Sequence, residues 1–244
     1  MFELRRKVNG RPLLVGHRGA RAVAPENTLL AFEAGLAGGA DILELDVQLT
    51  ADGQVIVFHD YDLAAKTGVP GRVGDYPAAY LQTLDVGYTP GKQFADARMP
   101  LLREVLAWAR GRIPLMIEHK HGPIFTPALD SAVVALVEEF GMVDDVVCTS
   151  FDQFALQRIR QLNPDIATSF IYVGRLLDPL AVVRVLQVDA LSPATNFLTR
   201  EEVVCIQEAG YACSPGGTWW DYATLLEWGV DTISSDDPAS VRLP

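Results

Sequence analysis

Two histidines and three carboxylates lie at the ends of short apolar runs in the first half of the chain. The series reads His17-Arg18-Gly19 after Leu13-Leu14-Val15, then Glu44-Leu45-Asp46, then His59-Asp60 after Val55-Ile56-Val57-Phe58, then Glu118-His119-Lys120 after Leu115-Met116-Ile117. Side chains two apart on a strand share a face, so Glu44 projects with Asp46, and Glu118 with Lys120. Glu44, Asp46 and Glu118 supply hard oxygen donors, which suit Mg²⁺, Ca²⁺ or Mn²⁺ rather than zinc. Several inward carboxylates on apolar strands repel one another unless a cation holds them. Histidine titrates near neutrality, so His17 and His59 can give or take a proton at physiological pH. Arg18 offers a bidentate fork, and Lys120 a point charge, to non-bridging phosphate oxygens; Lys120 could equally balance the charge of Glu118. A cation flanked by proton-transfer groups is chemistry for hydrolysing a phosphate ester.

Such residues need strands to bring them together. Strand candidates are Leu13–Gly16, Ile42–Leu49, Gln54–Phe58, Pro114–Glu118, Val146–Thr149, Ala167–Tyr172, Ala190–Ser192, Tyr211–Cys213 and Thr232–Ser234, most bounded by Gly, Pro, Asp or Asn. Between them the helical spacing of apolar residues predicts helices over Thr28–Ala37, Leu101–Arg110, Pro127–Phe140, Gln153–Leu162, Pro179–Gln187, Arg200–Ala209 and Tyr222–Trp228. Asp152 and Thr199 read as N-caps, and Gly141, Gly210 and Gly229 as stops. Strand-helix alternation without a strand-only block predicts an α/β fold with a parallel sheet. Eight such units in 244 residues favour a single (β/α)8 TIM barrel, one domain over 1–244, with the reactive groups at the C-terminal ends of the strands. The stretch 61–99, rich in Gly, Pro, Asp and Tyr and weakly periodic, reads as an excursion inserted after the His59-Asp60 strand and lying over the barrel mouth.

A net charge of -11 argues against an electrostatic grip on nucleic acid or anionic lipid, but a bound cation can reverse the local potential for a phosphate-bearing small molecule. Cys148, Cys205 and Cys213 show no ligand spacing, and their odd count suits thiols in a reducing compartment. The charged start, Met1 to Gly10, lacks a signal-peptide core. A cytoplasmic enzyme without stable membrane association is therefore expected, its oligomeric state left open.

The ordered series resembles the glycerophosphodiester phosphodiesterase family. It runs His17-Arg18-Gly19, Pro25-Glu26-Asn27-Thr28, Glu44-Leu45-Asp46-Val47, Thr50-Ala51-Asp52-Gly53, His59-Asp60, Met99-Pro100-Leu101 and Glu118-His119-Lys120, with weaker echoes to Asp237-Pro238. Two departures stand out. Leu63-Ala64-Ala65-Lys66-Thr67 replaces a Leu-x-Arg-Thr-Thr segment, and Cys213-Ser214-Pro215-Gly216-Gly217 replaces a Trp-Thr-Val-Asn strand end, with Trp219 and Trp220 following. The second departure bears on the shape of the substrate pocket.

The resemblance implies a barrel, a single divalent cation on Glu44, Asp46 and Glu118, and His17 and His59 as general base and general acid. Which histidine takes which role is left open, with His17 the preferred base. It also implies metal-dependent hydrolysis of glycerophosphodiesters to glycerol 3-phosphate and an alcohol through a cyclic phosphate. The rival expectations are lysophospholipase D or sphingomyelinase D-like activity on lipid head groups, and a catalytically silent barrel that binds phosphate esters. Gly19 is expected to permit a tight turn, Glu26 and Asn27 to contact the metal or glycerol or to cap the following helix, and Asp60 to orient His59 or a neighbouring loop. His119 and His121 are expected to lie outside the core site.

Overall fold

A computed structural model describes residues 1–89, 92–94, 97–217 and 219–242. Nine strands matter for the site: β1 (Leu13–Gly16), β2 (Ile42–Leu49), β3 (Val55–Val57), β4 (Leu115–His119), β5 (Val146–Ser150), β6 (Ala167–Tyr172), β7 (Ala190–Pro193), β8 (Ala212–Cys213) and β9 (Thr232–Ser235). Eight of them form a parallel sheet in the order β8-β7-β6-β5-β4-β2-β1-β9. Its two edges meet, because the Asp231 N–H donates to the Cys213 carbonyl at 2.9 Å and the Ser214 and Thr232 hydroxyls pair at 2.8 Å. The result is the nearly closed TIM barrel that the alternation predicts.

One strand departs from that reading. β3 pairs antiparallel with β2, Val47 opposite Val57, and is not a stave of the barrel. The reason is the connection: Thr50 to Gly53 forms a tight turn in which the Gly53 N–H donates to the Thr50 carbonyl, whereas a parallel return needs a crossover of a dozen residues or more. His59 therefore hangs from a hairpin beside the barrel rather than from a stave.

Seven helices, α1 (Leu29–Ala37), α2 (Leu102–Ala109), α3 (Ala128–Glu139), α4 (Gln153–Leu162), α5 (Pro179–Leu186), α6 (Arg200–Glu208) and α7 (Tyr222–Trp228), lie within two residues of their expected spans. Asp152 and Thr199 do cap α4 and α6, accepting from the Phe154 and Glu202 N–H groups. No helix among the described residues is long and apolar enough to cross a membrane.

Inside the barrel, Leu13, Val15, Ile42, Met116, Val147 and Ala167 form an apolar floor. Each buried aliphatic side chain there contributes roughly 1.5–3 kcal/mol, which offsets the cost of the polar layer above. The excursion packs mainly on β3, where Leu63, Val73, Leu81 and Met99 enclose Ile56 and Phe58. Tyr61 and Lys66 reach the edge of the site, the former donating to the His121 carbonyl at 3.1 Å and the latter pairing with Glu26. Positions 90, 91, 95 and 96 of the excursion lie outside the described residues.

The β1–α1 connection is set by close packing. Gly19 sits at φ +85°, and its N–H donates to the Gly16 and Glu44 carbonyls; a Cβ there would come within 2.5 Å of the Ala31 carbonyl carbon. The glycine is thus required by the approach of this turn to α1, not only by the turn itself. Gly19→Ala is expected to cost about 1–3 kcal/mol, read as a lowered denaturation midpoint with an unchanged slope.

Candidate active site

Alternate residues of successive strands rise above the apolar floor and line one cavity of about 350 Å³ at the C-terminal end of the barrel. His17, Glu44, His59, Glu118 and Lys120 all lie on it, as does Arg18. The register explains the carboxylates. β2 and β4 pair in parallel with Asp46 opposite Glu118, and Glu44 lies two residues earlier on the same face. One oxygen from each of the three comes within 4.8 Å of the others.

This arrangement is electrostatically unsatisfied by the chain alone. Burial, then the neighbouring Asp46 and Glu118, push the Glu44 carboxyl well above the usual range. Glu118 is raised to about 7, first by burial and then by Asp46, with Lys120 opposing. Asp46 is held by Asn27, whose amide donates to Oδ2 at 2.8 Å and accepts from the Asp46 N–H at 3.2 Å, but its buried Oδ1 has no hydrogen-bond partner. A hard-oxygen donor set with an orphaned buried oxygen at its centre fits a divalent cation.

The cationic side chains answer the same charge. Arg18 donates its backbone N–H to Glu44 at 2.8 Å, and its guanidinium lies 2.9 Å from Glu26 and 3.3 Å from Asp46. Lys120 donates to Glu118 at 2.7 Å and stands 3.6 Å from Asp46. Burial works against its charge, but Glu118 and Asp46 hold the ammonium above the ordinary lysine value. Glu26 pairs with Arg18 and Lys66, and Thr28 rather than Asn27 caps α1, accepting from the Ala31 N–H at 3.2 Å.

Each histidine is oriented by a carboxylate on Nδ1. Asp60 does this for His59 at 2.7 Å, as expected, and Asp236 for His17 at 2.7 Å. In both, Nδ1–H donates and Nε2 is left for proton work. His17 Nε2 lies 4.0 Å from Glu44. Burial lowers the proton affinity of His59 below the ordinary histidine value, with Lys120 and Arg18 acting the same way. Burial opposes ionisation of Asp236, but His17 and Arg21 lower its carboxyl to about 2.

Two positioning residues escape the motif-based reading. Asp236 follows β9 on the face of Thr232 and Ser234, both of which line the cavity. Gln48 continues the face of Glu44 and Asp46, and its amide donates to the Phe58 and Asp60 carbonyls at 2.8 and 2.9 Å, pinning the His59 segment. Period-two alternation, within β2 for Gln48 and carried past the end of β9 for Asp236, is the signal that finds both. His119 and His121 do lie apart from the cavity: both pair with Asp130 of α3, at 2.9 and 2.8 Å, and Arg158 donates to its other oxygen at 2.7 Å. They straddle Lys120 and fasten that strand end to α3.

Comparison with known proteins places the chain in a family. The model of the glycerophosphoryl diester phosphodiesterase family matches residues 17–240. A glycerophosphodiester phosphodiesterase of Caldanaerobacter subterraneus subsp. tengcongensis is 30% identical over 235 residues, spanning 94% of this chain and 96% of that one. Among solved structures, an Oleispira antarctica phosphodiesterase in complex with the product sn-glycerol-3-phosphate superposes with a TM-score of 0.87 at 27% identity, covering 93% of this chain and 94% of that one. A glycerophosphodiester phosphodiesterase of Agrobacterium tumefaciens gives 0.79 at 30% identity, covering 93% and 97%.

The raised carboxyls give a pH signature. Glu118 titrates near 7 folded against an ordinary 4.5, so in cation-free protein its contribution to stability is complete below the unfolded value and is lost as pH climbs through 7. Cation binding needs the ionised form and releases protons. The melting temperature of cation-free protein should fall between about pH 5 and 8, and the increment on adding Mg²⁺ or Ca²⁺ should grow over the same range. An increment independent of pH would exclude these carboxylates as the ligands.

Proposed function

The chain belongs to the glycerophosphoryl diester phosphodiesterase family, and from this premise we propose that it hydrolyses glycerophosphodiesters by histidine acid-base catalysis at a divalent-cation site. The observation that carries the reading is the meeting of three carboxylates from β2 and β4, Glu44 and Asp46 buried and Glu118 nearly so, beside two carboxylate-oriented histidines at one cavity. The product complex of the Oleispira relative supports glycerol 3-phosphate as the retained product.

Glu44, Asp46 and Glu118 would hold the cation, either Mg²⁺ or Ca²⁺. Bound there, it would polarise the phosphoryl group and lower the pKa of the glycerol 2-hydroxyl. Arg18 and Lys120, already beside the carboxylates, supply positive charge to the non-bridging oxygens. One histidine takes the proton of the 2-hydroxyl as its oxygen bonds to phosphorus. The P–O bond to the alcohol breaks, and the other histidine protonates the departing alkoxide. Water then opens the cyclic phosphate with the two roles exchanged, leaving glycerol 3-phosphate. Either Nε2 can serve as the base with the other as the acid, since each ring is oriented alike through Nδ1; His17 is the base preferred from the sequence. Asp60 and Asp236 keep each Nε2 turned to its task.

Glycerophosphocholine assayed for choline and glycerol 3-phosphate tests the reading. Turnover should vanish with a chelator and return with Mg²⁺ or Ca²⁺. His17→Ala and His59→Ala should each lose about 10²- to 10⁴-fold. On a p-nitrophenyl diester, whose leaving group needs no proton, the variant lacking the general acid should recover most of its rate; with His17 as base, that is His59→Ala. Recovery in the His17 variant alone would exchange the two roles.

A further inference from the structure

Lys120 brings its ammonium into the active site from beyond the end of a strand. β4 stops at His119, and the parallel ladder that fixes Glu118, with Asp46 on one side and Thr149 on the other, stops with it. One backbone bond reaches further: the Lys120 N–H donates to the Val47 carbonyl at 3.1 Å. A lysine carries its point charge on a flexible four-carbon stem, so the ammonium is placed only as well as the backbone beneath it. That backbone is held by other means.

Four hydrogen bonds grip the two residues on either side of Lys120. His119 Nδ1–H and His121 Nε2–H donate to the same oxygen of Asp130, at 2.9 and 2.8 Å. The Ser150 hydroxyl donates to the His119 carbonyl at 2.9 Å, and the Tyr61 hydroxyl to the His121 carbonyl at 3.1 Å. Asp130 belongs to α3, Ser150 to β5 and Tyr61 to the excursion, so three elements converge on this short stretch. Docking α3 does not require Asp130, because Leu129, Val133, Val134 and Val137 are buried on the same helix. Among them stands a carboxylate shut off from water, its other oxygen accepting from Arg158 at 2.7 Å. An aliphatic side chain there would serve stability as well or better. What the carboxylate adds is direction: two N–H groups converging on one oxygen fix both rings and the chain between them.

We infer that Asp130 is a positioning residue for the phosphodiester reaction and acts through Lys120: the clasp of His119 and His121 on Asp130 sets where the ammonium stands. The inference rests on the phosphodiesterase reading above, in which Lys120 supplies charge to a non-bridging phosphate oxygen. Its ammonium lies 2.7 Å from Glu118 and 3.6 Å from Asp46, with the Tyr61 ring centroid 5.7 Å away on another side. With the clasp released, the lysine is free to follow the carboxylates instead of the phosphate. Asp130 itself does not line the cavity and touches no reacting group.

A double-mutant cycle on choline release from glycerophosphocholine tests this. Asp130→Ala should lower kcat/KM about 10- to 10²-fold in protein that circular dichroism shows to be folded. Tyr61→Phe, which removes a single hydroxyl from a partly exposed side chain, should lower it about 5- to 10-fold. Lys120→Met should lose about 10²- to 10³-fold. In the Lys120→Met background, adding either of the other substitutions should change kcat/KM by no more than about twofold, because the group they position is gone. Losses that persist undiminished in that background overturn the inference, since the effect then runs through Glu118 or the barrel. A lowered melting temperature with unchanged kcat/KM in both single variants also overturns it and leaves Asp130 a purely structural group. Should Asp130→Ala fail to fold, Tyr61→Phe decides the matter by the same cycle. Wild-type turnover in Lys120→Met removes the inference alone, whereas a wild-type protein that releases no choline overturns the phosphodiesterase reading and the inference together.

Discussion

Crowding three carboxylates within 4.8 Å of one another, largely shielded from water, is tolerable only when positive charge or protons accompany them. Glu44, Asp46 and Glu118 are in that position, and much of the surrounding architecture is an answer to it. The parallel register of β2 and β4 forces the approach by setting Asp46 against Glu118. Asn27, Arg18 and Lys120 then supply donors, and two of the three carboxyls are still pushed toward their neutral forms. A fold selected for stability alone would fill these positions with aliphatic side chains, as it does one layer below. The retained charge is the mark of a functional site rather than of a structural core.

The histidines are governed by a second constraint, tautomer control. An imidazole that exchanges protons must present the same nitrogen each time, and a carboxylate on Nδ1 enforces this. Closure of the barrel supplies one such carboxylate: β9 pairs with β1 from Leu13–Thr232 to Gly16–Ser235, which carries Asp236 to His17. The other is the chain neighbour of its histidine. Distant and adjacent residues thus perform the same task, and the pinning of Phe58 and Asp60 by Gln48 makes the second as firm as the first.

Much of this was legible beforehand. The barrel, the helix spans, the carboxylate triad and both histidines follow from period-two and helical spacing with glycine, proline and capping residues as punctuation. What escaped depended on pairing, which spacing does not encode. An apolar run such as Val55–Val57 reads the same whether it joins the barrel or folds back on β2; only the length of the turn before it distinguishes the two. Asp236 and Gln48 carry no motif, and their roles exist only once β9 meets β1 and the β2–β3 hairpin closes. Gly19 reads as a turn residue from its neighbours, but the contact that demands it, with the backbone of α1, is tertiary.

Mounting His59 on a hairpin outside the staves separates two kinds of structural inheritance. The triad is tied to barrel geometry, so its spacing is as invariant as the shear of the sheet. The imidazole rides instead on an appendage with its own small core, whose far end, between Tyr61 and Met99, can lengthen or be rebuilt without moving a single stave. The outrigger can thus change in length or sequence while the imidazole stays over the same layer of carboxylates.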